Sequence, residues 1–144
     1  MNKEGFVKEV EALLRSGGRH NKLTLEKLAK YFGIIDKNLV KELTELAIVK
    51  EARKLAHQHG KTVAEKFGNI VELYRGQVNL SHRTSQSVML QQYSTPAPIG
   101  YLMGVFCGVD KTGSYFEPSA GNGLLTIAAE PQYFSVNEID SVRR

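Results

Sequence analysis

The sequence predicts an α+α/β chain, a helical N-terminal domain followed by the start of a parallel α/β domain. Three observations predict it. Apolar residues recur at helical spacing through residues 1–76. No proline interrupts them before Pro96. Beyond that point the order becomes helix, strand, glycine turn, helix, strand, which is one unit of a parallel sheet.

The helical elements follow from their punctuation. Phe6, Val7, Val10, Leu13 and Leu14 mark a first helix that Ser16-Gly17-Gly18 stops. Thr24 is the expected cap of a second, with Leu25, Leu28, Ala29 and Phe32 on one face and Gly33 at its end. Asp36 is the expected cap of a longer third helix through Val40, Leu43, Leu46 and Ala47. A fourth is expected from Thr62 to Arg75, burying Val63, Phe67, Ile70, Val71 and Tyr74. Residues 77–95, rich in Ser, Thr and Gln, read as an extended connector. Residues 96–144 then carry a short helix near Pro98, a strand ending at Phe116-Glu117, the glycine turn, another helix, and a strand at Tyr133–Glu138.

Composition restricts the function classes. With 42% hydrophobic and 24% charged residues, the 144-residue chain has the balance of a soluble globular protein. No apolar run approaches the roughly 20 residues that span a bilayer, and Met1-Asn2-Lys3-Glu4 leads into a helix with no signal-peptide core. A cytoplasmic protein without a membrane partner is expected. Cys107 is the only cysteine, which excludes an internal disulfide and a cysteine-based zinc site. His20, His57, His59 and His82 form no facing set for a metal and are expected at the surface. Charge is uneven: residues 1–83 hold 16 Lys and Arg against 10 Asp and Glu, a net of +6, while residues 84–144 carry a net of −2. A basic front half suits a polyanion such as DNA, or is simply a set of solvated helix faces.

The segment Tyr115-Phe116-Glu117-Pro118-Ser119-Ala120-Gly121-Asn122-Gly123-Leu124-Leu125 carries the chemistry. Gly121 and Gly123 permit a tight turn and a close approach to a ligand that any Cβ would obstruct. Glu117, at the strand end, can accept a hydrogen bond from an ammonium group. Phe134-Ser135-Val136-Asn137-Glu138 ends a second strand on another acid, placed to take the two hydroxyls of a ribose. The turn lacks the third glycine and the length of a phosphate-binding loop, so NAD and ATP fit less well.

Phe116-Glu117-Pro118-Ser119-Ala120-Gly121-Asn122-Gly123 resembles motif I of the N6-adenine DNA methyltransferases. Asn137-Glu138-Ile139-Asp140 is similar to the acidic end of their motif II, and Gln91-Gln92-Tyr93-Ser94-Thr95-Pro96 to their motif X. Type I modification subunits of restriction systems share this order, as do the methylase–helicase proteins of phages and mobile elements. The resemblance implies a Rossmann-like methyltransferase domain and S-adenosylmethionine as cofactor. By position it implies that Thr95 and Pro96 border the methionine end, that Glu117, Ala120, Gly121 and Gly123 wrap the amino acid moiety, and that Glu138 holds the ribose.

Methylating an adenine amine also needs acceptors that orient the nitrogen lone pair, and a pocket for the extruded base. The family uses an Asp/Asn-Pro-Pro-aromatic motif for this. Here the prolines stand at 96, 98, 118 and 131, with no adjacent pair, and no third strand follows. The expectation is a truncated N-terminal fragment, inactive alone, whose partners are DNA, the missing C-terminal half of the methyltransferase domain, and a helicase domain.

Leu28-Ala29-Lys30-Tyr31-Phe32-Gly33-Ile34 followed by Asn38-Leu39-Val40-Lys41 is similar to a helix-turn-helix. On that reading Lys37, Asn38 and Lys41 face DNA. A helical scaffold packs the same residues equally well. The alternative for the whole chain is therefore a helical DNA-binding or protein-interaction module with a vestigial methyltransferase-like tail.

Overall fold

A computed structural model describes residues 1–17, 20–77, 94–109, 114–129 and 134–136. Five α-helices dominate them: α1 (Lys3–Ser16), α2 (Lys22–Tyr31), α3 (Lys37–Ala56), α4 (Val63–Gly76) and α5 (Ala97–Phe106). The connector residues 78–93, with Gln91, Gln92 and Tyr93, lie outside the described residues, as does 137–144 with Glu138.

Local chemistry sets the helix ends. The Asn2 side chain accepts the Gly5 N–H to open α1, and Gly17 closes it in the left-handed region at φ 65°. Helix α2 starts earlier than Thr24: Asn21 is the cap, and its Oδ1 takes both the N–H and the hydroxyl of Thr24. At its other end Gly33 (φ 74°) donates to Lys30 O and Ile34 to Ala29 O, a Schellman closure that a Cβ at Gly33 would strain. Asp36 caps α3 as expected, accepting from Asn38 and Leu39 N–H.

Thr62 and Glu65 form a reciprocal capping box on α4. The Thr62 backbone N–H, and after it the Thr62 hydroxyl, hold the Glu65 carboxyl below its ordinary value of 4.5. A lowered folded value means the stabilisation is complete above 4.5 and is lost as pH falls through the folded value. Amide protection in the first turn of α4 should therefore fall on acidification in the wild type, and Glu65→Ala should show the low protection already at neutral pH. Equal protection in both proteins at neutral pH would mean that the box contributes nothing.

Helix α3 is the spine. At 20 residues it extends about 30 Å, and it is buried over much of its circumference. Its N-terminal half shares a core with α1 and α2 through Phe6, Val10, Leu25, Ala29, Ile34, Leu43 and Ala47. Its C-terminal half shares a second core with α4, α5 and the chain beyond, through Val49, Ala52, Ala56, Ile70, Ala97, Tyr101 and Ile127. Two buried carboxylates join α1 to α3: Glu11 lies 3.3 Å from Lys50 Nζ and 3.5 Å from Lys54 Nζ, and Glu51 lies 4.0 Å from Arg15 Nε. Pairing is what makes such burial tolerable. Among the described residues no helix is long and apolar enough to cross a membrane.

The expected Rossmann-like half is corrected. The described residues are mostly helical. Their strands are two three-residue segments, β1 (Tyr115–Glu117) and β2 (Phe134–Val136), paired in parallel over those residues alone. Among the described residues the α-helix expected after the glycine turn is absent, and Leu124–Thr126 forms a single 3-10 turn instead. Its cause is a run of three-residue closures: Gly123 donates to Ala120 O, Thr126 to Gly123 O, and Ala129 to Thr126 O. The Thr126 hydroxyl takes Gly123 O as well, at 2.8 Å. Groups from α3 then occupy carbonyls that an α-helix would have bonded internally.

Candidate functional site

The glycine turn is held by one stripe of α3. Glu42, Glu45, Val49, Arg53 and His57 follow at spacings of three or four, so they share a face. At its N-terminal end, Asn122 Nδ2 donates to Glu42 Oε2 and to Glu45 Oε2, each at 2.9 Å. Carboxylates only accept, so this contact also fixes which way the amide points. Ser94 Oγ donates to Glu45 Oε2 at 2.7 Å, and Lys41 Nζ lies 3.8 Å from Glu45 Oε1. Farther along, Arg53 donates from Nη1 to Thr126 O at 3.0 Å and from Nη2 to Ala129 O at 2.6 Å. His57 Nε2 lies 3.0 Å from Ile127 O, which requires that nitrogen to carry the proton. His57, expected at the surface, is half-buried here.

The turn itself is compact. Glu117 closes β1, and its Oε1 accepts the Ser119 N–H at 2.9 Å, which curls the carboxylate over the start of the turn. Gly121 and Gly123 both stand in the left-handed region, at φ 56° and 91°. A Cβ on Gly123 would also meet Thr126 Oγ1 at 3.3 Å. Gly123 spends its N–H on Ala120 O at 2.8 Å, so the turn is closed on itself before any ligand arrives.

Of the residues assigned to a cofactor, Glu117, Ala120, Gly121 and Gly123 are together and half-buried in this turn. Thr95 is half-buried, and the exposed Pro96 caps α5. They are linked to the turn through their neighbour Ser94, which shares Glu45 with Asn122. Glu138 falls outside the described residues. Of the residues assigned to DNA, Lys37 is exposed and lies 3.9 Å from Glu26, and Asn38 is exposed in the first turn of α3. Lys41 is only 20% exposed and lies against Glu45, so it does not join the other two on an open face.

No protein family, curated protein or solved structure matches this chain.

Sequence reasoning passed over Ser94, Asn122 and the α3 groups Glu42, Glu45, Arg53 and His57. No signal set the last four apart, because polar residues at helical spacing on α3 read equally as a solvated face. Chemically, the Glu117 carboxylate stands at the start of a tight glycine turn, while Glu42 and Glu45 are engaged by Asn122, Ser94 and Lys41. Glu117 is therefore an acceptor suited to a positively charged donor such as an ammonium group.

Proposed function

We propose that this chain is the cofactor-binding part of an S-adenosylmethionine-dependent adenine-N6 DNA methyltransferase, of the type I modification or methylase–helicase kind. One observation carries the reading. Ser94 and Asn122 belong to the two separate segments that resemble motifs X and I, and both donate to the same carboxylate, Glu45. Two segments that would serve one ligand thus share one anchor.

In this reading Glu117 accepts from the cofactor's ammonium group, and Gly121 and Gly123 let the amino acid moiety approach the backbone. Thr95 and Pro96 border it at the start of α5, and Glu138 takes the ribose hydroxyls. Bound S-adenosylmethionine supplies an electrophilic methyl group. The Asp/Asn-Pro-Pro-aromatic motif that orients an adenine amine is not among these 144 residues, so the proposal assigns this chain binding and not transfer. DNA is the substrate of the whole enzyme. On the helical side, Lys37 and Asn38 are the candidate contacts that remain once Lys41 is committed to Glu45.

Titration calorimetry of the full chain with S-adenosylmethionine tests this. The wild type should bind, and Glu117→Gln should weaken binding at least about tenfold, the scale of one lost charge-assisted hydrogen bond. No binding by the wild type, or equal affinity in the variant, would sink the reading.

A further inference from the structure

We infer that Glu42 and Glu45 of α3 are positioning residues that hold the glycine turn in its ligand-ready shape through the Asn122 amide. The inference deepens the proposed cofactor role and rests on it for its ligand, while the positioning itself can be read without any ligand.

Three facts support it. Glu45 is only 7% exposed although charged, a cost that needs compensating partners. The partners it has are Ser94 before α5, Asn122 within the turn, and Lys41 on its own helix. Asn122 stands between Gly121 and Gly123, both at positive φ, where the backbone has the widest choice of conformations and the least intrinsic reason to keep one. A side chain pinned at that point by two carboxylates removes that freedom before a ligand binds, which lowers the ordering cost of binding. Both carboxylates lie one turn apart on a helix packed into two cores, so the pin has a rigid base.

The test exchanges the partners. Asn122→Asp replaces the shared donor with a third carboxylate beside Glu42 and Glu45, leaving Lys41 to offset the repulsion. Glu45→Gln with Asn122→Asp restores an amide–carboxylate pair in the reverse sense. Hydrogen–deuterium exchange is followed at the amides of Gly123, Thr126 and Ala129, which make the turn's own bonds, with α1 as an internal reference. Exchange there should rise about tenfold in Asn122→Asp and return to within about threefold of wild type in the double variant, the range expected for directly coupled groups. Affinity for S-adenosylmethionine should fall and recover in parallel. Unchanged exchange in Asn122→Asp overturns the inference, and so does a double variant no better than the single one. A wild type that binds no S-adenosylmethionine overturns the cofactor reading instead, and the exchange cycle still decides the positioning role.

Discussion

Arg53→Ala is expected to destabilise the protein by about 3 kcal/mol, the sum of two hydrogen bonds from a charged donor to carbonyls that water does not replace. The guanidinium reaches Thr126 O, which also accepts the Ala129 N–H, and Ala129 O three residues farther on. That segment leads into Ile127, Ala128 and Ala129, which are buried in the core that α3 shares with α4 and α5. Losing the donor leaves Thr126 O with the Ala129 N–H alone and takes the charged donor from Ala129 O at the edge of an apolar cluster, which costs more than two surface contacts would. Arg53→Lys should recover part of the loss, because an ammonium can serve one carbonyl well but lacks the fork that spans both. Chemical denaturation reads the difference. A loss below about 0.5 kcal/mol, the level of an ordinary surface substitution, would show that the clamp does not hold the turn.

The helix boundaries were legible in the sequence because their signals are local, whereas the buried faces were read too widely: Val63 and Tyr74, expected inside α4, are exposed, as is Leu46 of α3. Phe6, Val7 and Val10 at helical spacing, Asp36 before α3, and glycines after α1 and α2 each act within a few residues of the place they specify. The one misplaced cap is instructive. Thr24 and Asn21 are both good capping residues, and Asn21 takes the position with one oxygen serving two donors of Thr24. The α/β half was misread for the opposite reason. A strand, a glycine turn and a leucine-rich stretch specify a helix only if the backbone bonds within itself. Here Arg53 and His57, more than seventy residues away or close to it, take carbonyls of that stretch. No local pattern announces such a competitor. The site shows the same division. Glu117, Gly121 and Gly123 were visible as a turn, while the carboxylates that pin it came from a helix whose residues looked like solvated surface.

Gly100→Ala should be the most damaging of three glycine-to-alanine changes, although alanine in a helix interior is ordinarily better than glycine by about 1 kcal/mol. Gly100 lies on the face of α5 that meets the 3-10 turn, and a Cβ there would press into Leu124 O, a backbone atom that cannot rotate away. Helix and turn would have to separate, and forced overpacking of this kind costs about 3 kcal/mol, more than the propensity gain. Because Leu124 directly follows Gly123, the displacement should also loosen the turn, and with it the proposed cofactor site. Gly104, one turn later on α5, provides a graded comparison. Its Cβ would meet Val109 Cγ2 at 3.1 Å and Ala128 Cβ at 3.3 Å, which are side-chain atoms able to yield by a few tenths of an ångström. Strain and propensity should nearly cancel there. Gly68 in α4 has no atom within 4 Å of a built Cβ, so Gly68→Ala should stabilise by roughly 0.5–1 kcal/mol. Thermal or denaturant unfolding of the three variants should therefore rank Gly68→Ala above wild type, Gly104→Ala near it, and Gly100→Ala well below. A Gly100→Ala protein as stable as Gly68→Ala would mean that α5 does not press against Leu124, and the link between the start of α5 and the glycine turn would lose its packing support.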